Sequence, residues 1–333
     1  MLDWQNGLRV KTGDRRGGLW MDCRDGKDRC FVSHGHADHL GPHASSIATT
    51  VTSAIGKHRI DLSNVTELAF GEELTIDGDT TLRLVPAGHV LGSAMLHVTR
   101  PEGTLLYTGD YKLAPSRTCE RAETPRADYL VMESTYGLPH FRFPHPDSTA
   151  TNLCEMAAMA LRSGKQPIVY GYSLGKAQEI VKILTDAGFN VTQHGAVATL
   201  SDLYEEHGVD VGKRRRYDRK DFHGPKALDL EERGVLVAPP QAAKGAFSNS
   251  FKDSYKVMMS GWALTSGAVY RYQVDACLPL SDHADFGELL ETIDRVGPKV
   301  VYTHHGFKEF PDHLKKRGIN AKLARPAAQL ELF

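Results

Sequence analysis

The sequence contains no CxxC pair, and its five cysteines, Cys23, Cys30, Cys119, Cys154 and Cys277, are odd in number and widely spaced. That spacing excludes a disulfide framework and a thiolate zinc site, and it fits a reducing compartment. An excess of charge is also missing. Lys and Arg total 40 against 41 Asp and Glu, a formal net charge of -1, so the chain as a whole does not attract polyanions and any such contact must come from local clusters. No apolar run approaches the length needed to cross a bilayer, and the opening MLDWQNGLRV has neither the basic nor the apolar part of an export signal. The expectation is a cytoplasmic protein that makes no membrane contact. Internal repeats, heptad runs and low-complexity tracts are absent as well.

What is present is histidine, 16 in all, several beside Asp and Gly in short runs. At 333 residues the chain exceeds the size at which one hydrophobic core usually stops growing, so two lobes, or one domain carrying an insertion, are expected. The first part reads as short strands between turns: FVSHG, TTLRLVPAGH, MLHVT, TLLYTGD and DYLVMESTYG, each ending in or beside a His, Asp or Glu. From about Pro146 the texture changes. TATNLCEMAAMALRSG and GKAQEIVKILTDAG read as helices, and QPIVYGYS, NVTQHGAV, GVLVAPP and YKVMMSGWA as strands, an alternation that implies a parallel sheet with crossover helices. Histidines return at the helix DHADFGELLETIDRVG and the strand KVVYTHHG, so the middle lobe reads as an insertion into a first domain completed by the C-terminal part.

Ser33-His34-Gly35-His36-Ala37-Asp38-His39 carries four candidate ligands in six residues. A strand followed by a turn would aim His34 and His36 at one point and Asp38 and His39 at a neighbouring one, the arrangement two ions bridged by hydroxide require. Imidazole mixed with carboxylate suits Zn2+ or a similar first-row ion, with Mn2+ as the second choice, better than Mg2+ or Ca2+. A lone histidine such as His58, His97 or His207 is most simply a surface or core residue; four ligands crowded at a Gly-containing strand end have few other uses.

The motif SHGHADH resembles the HxHxDH hallmark of the metallo-β-lactamase superfamily, whose fold is an αββα sandwich. Asp22 in MDCRDG, His89 in AGHVLGSA and Asp110 in YTGDYK follow in the family's order. The resemblance implies that His34, His36 and His89 hold one divalent ion and Asp38 and His39 the other, with Asp110 bridging both. Asp22 would orient ligand imidazoles. Three further elements resemble the β-CASP branch of nucleases, which includes ribonuclease J: Glu133 in LVMESTYG, His283 in LSDHADF and His305 in YTHHG. The implied fold is α/β: a metallo-β-lactamase sandwich over 1–137 and 263–333, with an inserted α/β β-CASP cap over 138–262. By the same resemblance His283 is the general acid that protonates the leaving oxygen, supported by Glu133, and His305 completes the second metal's shell, while Asp38 belongs to the catalytic set.

Phosphate contacts are expected from Gly171-Tyr172-Ser173-Leu174-Gly175-Lys176, which joins a strand to a helix, through Ser173 and Lys176. Ser281, two residues before His283, is another candidate. Lys213 to Lys220 is the strongly basic run, with Tyr217 offering a face for stacking. The same GYSLG satisfies GxSxG, yet a serine-hydrolase reading leaves the upstream metal cluster without a role. A His at position 305 is the pattern of RNA-processing members. The compact length and the stretch MSGWAL…LSDHADF…VYTHHGF instead resemble the bacterial ligase-associated DNA exonucleases, which implies a DNA-repair exonuclease with a DNA ligase and a helicase as partners. The alternatives are an RNA-processing nuclease of ribonuclease J type, a small-molecule hydrolase on the same fold, and a binding subunit without catalysis.

Overall fold

The structure, a computed structural model, describes residues 2–4, 7–13, 17–60, 62–244 and 246–324; the closing stretch of ARPAAQLELF from 325 on lies outside them. The chain divides into two compact units, Met1–Ala114 with Glu120–Arg142 and His283–Phe333, and Pro115–Cys119 with Phe143–Asp282. Among the described residues no helix is long and apolar enough to cross a membrane.

The first unit is built on two sheets. One runs Leu2–Asp3, Leu8–Val10, Leu19–Met21, Cys30–Phe31, Ser46–Ala48 and Val65–Glu67 in spatial order. The other runs Ala321–Leu323, Val300–Gly306, Tyr129–Ser134, Gly103–Tyr107, Ala94–Arg100, Thr81–Pro86 and Glu73–Thr75. Their facing sides share one core: Val10, Leu19, Met21, Phe31 and Ile47 meet Leu82, Leu84, Leu96, Val98, Leu105, Tyr107 and Val131. Alternation along the strands decides which side chains do this, because successive residues point to opposite faces. Leu105, Tyr107 and Val131 turn toward the first sheet, whereas Leu106, Leu130 and Met132 turn away and pack with Phe286, Leu289, Ile293, Phe310 and Leu314. Both faces of the central strands are therefore covered, which is why YLVMES reads as a continuous apolar run.

The covering helix Phe286–Val296 buries Phe286, Leu289, Ile293 and Val296, a helical stripe in which each large side chain contributes about 1.5–3 kcal/mol of burial. Asp285 starts it with a capping box: its carboxylate accepts from Gly287 N and Glu288 N, and Glu288 returns a contact to Asp285 N. Gly297, in the left-handed region at φ 63°, ends it.

The second unit carries a wholly parallel sheet in the order Arg215–Arg216, Val191–Gln193, Val235–Ala238, Gln166–Tyr170, Ser254–Met259 and Ala276–Leu278. The helix Pro146–Arg162 precedes the first of its strands in the chain, and Lys176–Asp186 and Gly195–Glu206 lie between later ones. The strand expected over NVTQHGAV ends at Gln193. There the His194 ring accepts a hydrogen bond from Ala196 N at 3.2 Å and starts the next helix, so a cap overrides the apolar pattern.

Candidate metal centre

Short loops at the ends of strands from both sheets of the first unit carry the cluster. The loop His34–His39 leaves the strand Cys30–Phe31, His89 sits in the turn between Thr81–Pro86 and Ala94–Arg100, and Asp110 follows Gly103–Tyr107. Sterics fix the first loop. A Cβ at Gly35 would collide with the Ile55 side chain of the helix Thr50–Ile60, so only glycine lets this turn lie against that helix. The second turn is drawn in by Ser93, whose hydroxyl accepts from His89 N at 3.1 Å and Val90 N at 3.2 Å.

Asp110 Oδ2 is the centre of the group, 3.3 Å from His39 Nε2, 3.6 Å from His34 Nε2 and 3.9 Å from His89 Nε2. One ligand atom each from His34, His36 and His89, from His34, His39 and Asp110, and from His89, Asp110 and His283 come within 4.8 Å of one another. The groups share His34, His89 and Asp110, so the donors form one continuous cluster. Asp38 and His305 stand at its edge. The Asp38 side chain is 66% exposed, with Oδ2 3.8 Å from His39 Nε2, and the His305 ring lies 5.7 Å from that of His39, nearly parallel to it. His305 and Asp22 both have positive φ, 47° and 46°, uncommon for residues with a side chain and a form of strain that concentrates at functional sites.

Asp22 organises the back of the cluster. Its Oδ1 accepts from Ser33 N at 2.7 Å, and its Oδ2 accepts the Ser33 hydroxyl at 2.6 Å and the Tyr107 hydroxyl at 2.7 Å. The same Oδ2 lies 3.0 Å from His39 Nδ1. Because the Ser33 hydroxyl is donated to Asp22, its oxygen is left to accept from His34 Nδ1, 2.9 Å away. That tautomer turns the bare Nε2 of His34 inward, where it is buried and makes no hydrogen bond. A buried imidazole nitrogen without a donor is costly unless a cation meets it. Ser33 and Tyr107 were not singled out from the sequence; the one available signal is that Ser33 directly precedes the motif.

The electrostatics follow. Burial lowers the His34 pKa well below its usual value, reinforced by the neighbouring His39 and His89. Burial works against the charged form of His39 too, but the Asp110 and Asp22 carboxylates outweigh it and lift its pKa well above the usual value. Burial would raise Asp110, yet His39 and His283 hold it well below the ordinary carboxylate range. The donor set, imidazole nitrogens around a carboxylate, fits a divalent ion.

A second arrangement adjoins the cluster. Glu133 is fully buried, its Oε1 accepting from Tyr111 N at 2.9 Å and lying 2.9 Å from His283 Nδ1. The His283 ring in turn lies 4.8 Å from that of His89. His304, the neighbour of His305, is half-buried and stacks on Tyr107 with centroids 5.5 Å apart.

No protein-family model matches the chain. It is 36% identical over 318 residues, 95% of its length and 30% of the relative's, to a probable DNA ligase of Opitutus terrae. It is 30% identical over 183 residues, 48% of its length and 44% of the relative's, to an RNase J-like protein of Methanocaldococcus jannaschii. These names accord with the resemblance of the chain's motifs to the metallo-β-lactamase superfamily and its β-CASP branch. The chain spans less than half the length of either of these relatives. A crystal structure of a protein of unknown function from Enterococcus faecalis shares the fold, with a TM-score of 0.63 at 19% identity, covering 89% of this chain and 79% of that one.

The residues expected to meet phosphate lie in the second unit. Lys176 is not offered to a ligand: its Nζ is 2.8 Å from Asp282 Oδ2 in an ion pair whose side chains are 4% and 5% exposed. The amides of the GYSLGK turn are also partly engaged, Gly175 N with Gln178 Oε1 at 2.8 Å and Lys176 N with Leu174 O at 3.2 Å. Ser173 is half-buried at that turn and Ser281 is buried. In the basic run, Arg214 pairs with Asp202 and Glu205, and Lys220 with Asp218. Tyr217 packs into a cluster with Phe222, Phe247 and Phe251. Internal pairing thus takes up much of the charge, and packing takes up the ring, that the sequence suggested for a polynucleotide.

Proposed function

We propose that this chain is a two-metal nuclease that hydrolyses phosphodiester bonds, acting as a DNA exonuclease in repair. The observation that carries the reading is His283 held through Nδ1 by the buried Glu133, 2.9 Å away, while its ring stands beside the His89 and Asp110 donors. A hydrolase acting on a poor leaving group needs such an arrangement: a proton donor fixed by one nitrogen, its other nitrogen turned toward the reacting oxygen.

In this reading His34, His36 and His89 would hold one Zn2+, Asp38, His39 and His305 the other, with Asp110 a ligand common to both sets; Mn2+ is the second choice. When bound, such ions would supply Lewis-acid polarisation of the scissile phosphate and a water of lowered pKa. The chain's own residues do the rest. Asp22 orients His39 directly and His34 through Ser33, so that their Nε2 atoms point inward. Glu133 keeps the His283 ring in register, and His283 Nε2 delivers a proton to the departing sugar oxygen. The two-sheet unit is then the metallo-β-lactamase sandwich and the parallel-sheet unit the β-CASP cap. The ligase name of the Opitutus relative supports DNA as substrate and a DNA ligase as partner. The second reading, an RNA-processing enzyme of ribonuclease J type, is favoured by His305 and by the RNase J-like relative.

The test is digestion of end-labelled single- and double-stranded DNA and RNA in Zn2+ or Mn2+ by the wild type, Asp38→Asn and His283→Ala. Loss of about 100-fold or more in either variant, with DNA cut faster than RNA, is expected. Full activity in both folded variants rejects the nuclease reading; preference for RNA selects the second.

A further inference from the structure

Phe286 opens its helix three residues after His283, and its ring is 1% exposed. Two guanidiniums lie over that ring: Arg142 Cζ is 5.2 Å from the centroid and Arg317 Cζ 5.5 Å. Helix stability does not account for them. Arg142 lies against the first turn, where a Cβ at Gly287 would collide with its Nη1, and a cation at that end opposes the helix dipole. Asp285 Oδ1, 4.0 Å from Arg142 Nη1, already accepts from Gly287 N at 2.7 Å and Glu288 N at 2.9 Å. The Arg142 side chain remains 54% exposed.

Arg317 follows the helix Phe310–Lys315 and is exposed. Its Nη1 donates to His313 O at 3.0 Å, and among the described residues no carboxylate comes within 4.0 Å of it. Arg214 and Lys220 of the second unit are held by their own acids; these two arginines of the first unit keep most of their donors for solvent.

Their place relative to the proton donor is set by packing. Phe286 N donates to Phe141 O at 3.1 Å, which ties the neighbour of Arg142 to the helix start. The Phe141 ring stands 5.0 Å from that of Tyr136, and the Tyr136 ring 6.1 Å from that of His283. Arg142 is thus two rings removed from His283, a position suited to holding the strand rather than the bond being cut.

We propose that Arg142 and Arg317 bind backbone phosphates of the polynucleotide beyond the scissile bond, with Phe286 as the fixed seat of both guanidiniums. The proposal rests on the nuclease reading. A guanidinium meets a phosphate through two parallel hydrogen bonds, and seating it on a buried ring cuts the side-chain entropy lost on binding. Such contacts release counterions and carry no sequence information.

The experiment uses the full metal-reconstituted chain on an end-labelled DNA strand of about 20 nucleotides, or the RNA of the same sequence if the wild type prefers it, over a series of NaCl concentrations. Each of Arg142→Gln and Arg317→Gln is expected to raise KM about 10-fold with kcat within about twofold. Each should also lower the slope of log affinity against log salt by about one, equally for unrelated sequences, while Arg142→Lys keeps the slope. Should Arg142→Gln fail to fold, Arg317→Gln, at an exposed position, decides alone. Unchanged KM and slope, or a fall in kcat at unchanged KM, in the folded variants overturns the phosphate contacts while the nuclease reading stands. A wild type that hydrolyses thymidine 5′-p-nitrophenyl phosphate but no polynucleotide overturns the nuclease reading, and this proposal with it.

Discussion

Asp22 Oδ2 lies 3.0 Å from His39 Nδ1, and through the Ser33 hydroxyl the same carboxylate reaches the Nδ1 of His34. One buried acid therefore orients two imidazoles whose other nitrogens converge on Asp110. The Tyr107 hydroxyl completes its shell, and burial together with the Asp22 charge keeps that phenol protonated by raising its pKa well above the usual value.

Removing that charge should weaken metal binding before it weakens the fold. Asp22→Asn is expected to lower affinity for Zn2+ by about 10- to 100-fold, as losses of such supporting groups do. Tyr107→Phe, which removes one of several donors to Asp22, should cost about 1 kcal/mol of stability and a smaller share of affinity. Competition with a chromophoric chelator measures both. Asp22→Asn binding Zn2+ as tightly as wild type would show that the carboxylate does not act through the ligands.

Glu133→Gln should separate catalysis from metal binding. The amide oxygen still accepts from Tyr111 N, but the carboxylate that faces His283 Nδ1 is lost. A fall of about 100-fold or more in kcat on DNA with unchanged metal content is expected. A variant that loses its metal along with its activity would make Glu133 part of the metal site instead.

The metal-free chain should lose stability on the acid side. Burial holds His34 and His304 well below their ordinary value of 6.5, so below that pH the unfolded chain takes up protons that the folded chain does not. Their contribution is fully present above pH 6.5 and is lost as pH falls. His39, raised above 6.5 by Asp110 and Asp22, has the opposite sign: its contribution is present below 6.5 and lost as pH rises through its folded value. Urea midpoints of the apo chain at a series of pH values should fall more gently on the acid side for His304→Phe than for wild type. An unchanged acid slope would mean His304 is not protonated on unfolding in that range.

Gly35→Ala tests the packing of the ligand loop. The added methyl meets Ile55 in the helix beneath, and overpacking of this kind costs about 1–3 kcal/mol. Pairing it with Ile55→Val, which opens room, should recover part of the loss in the urea midpoint. Recovery of nothing would place the strain elsewhere.

Much of the site was legible because its residues stand in short motifs at strand ends. His34, His36, His39, His89 and Asp110 lie in HxHxDH, AGH and TGD, and the strands before them carry the apolar runs that mark burial on two faces. Apart from Cys30–Phe31, which FVSHG marks, the first sheet was not legible. Strands of two or three residues, such as Leu8–Val10 and Ser46–Ala48, are too short for alternation to register. Lys176 was misplaced for a related reason: a Gly-rich turn before a helix looks the same in sequence whether its cation meets a phosphate or a carboxylate 106 residues away. Tyr217 likewise reads as a stacking face until its aromatic neighbours are known.

The most direct test is anomalous scattering at the zinc edge from crystals of the wild-type chain grown with Zn2+. Two peaks about 3.5–4 Å apart on either side of the Asp110 carboxylate, with His34, His36 and His89 around one and His39 beside the other, are predicted. A single peak, or none within reach of Asp110, would contradict the account.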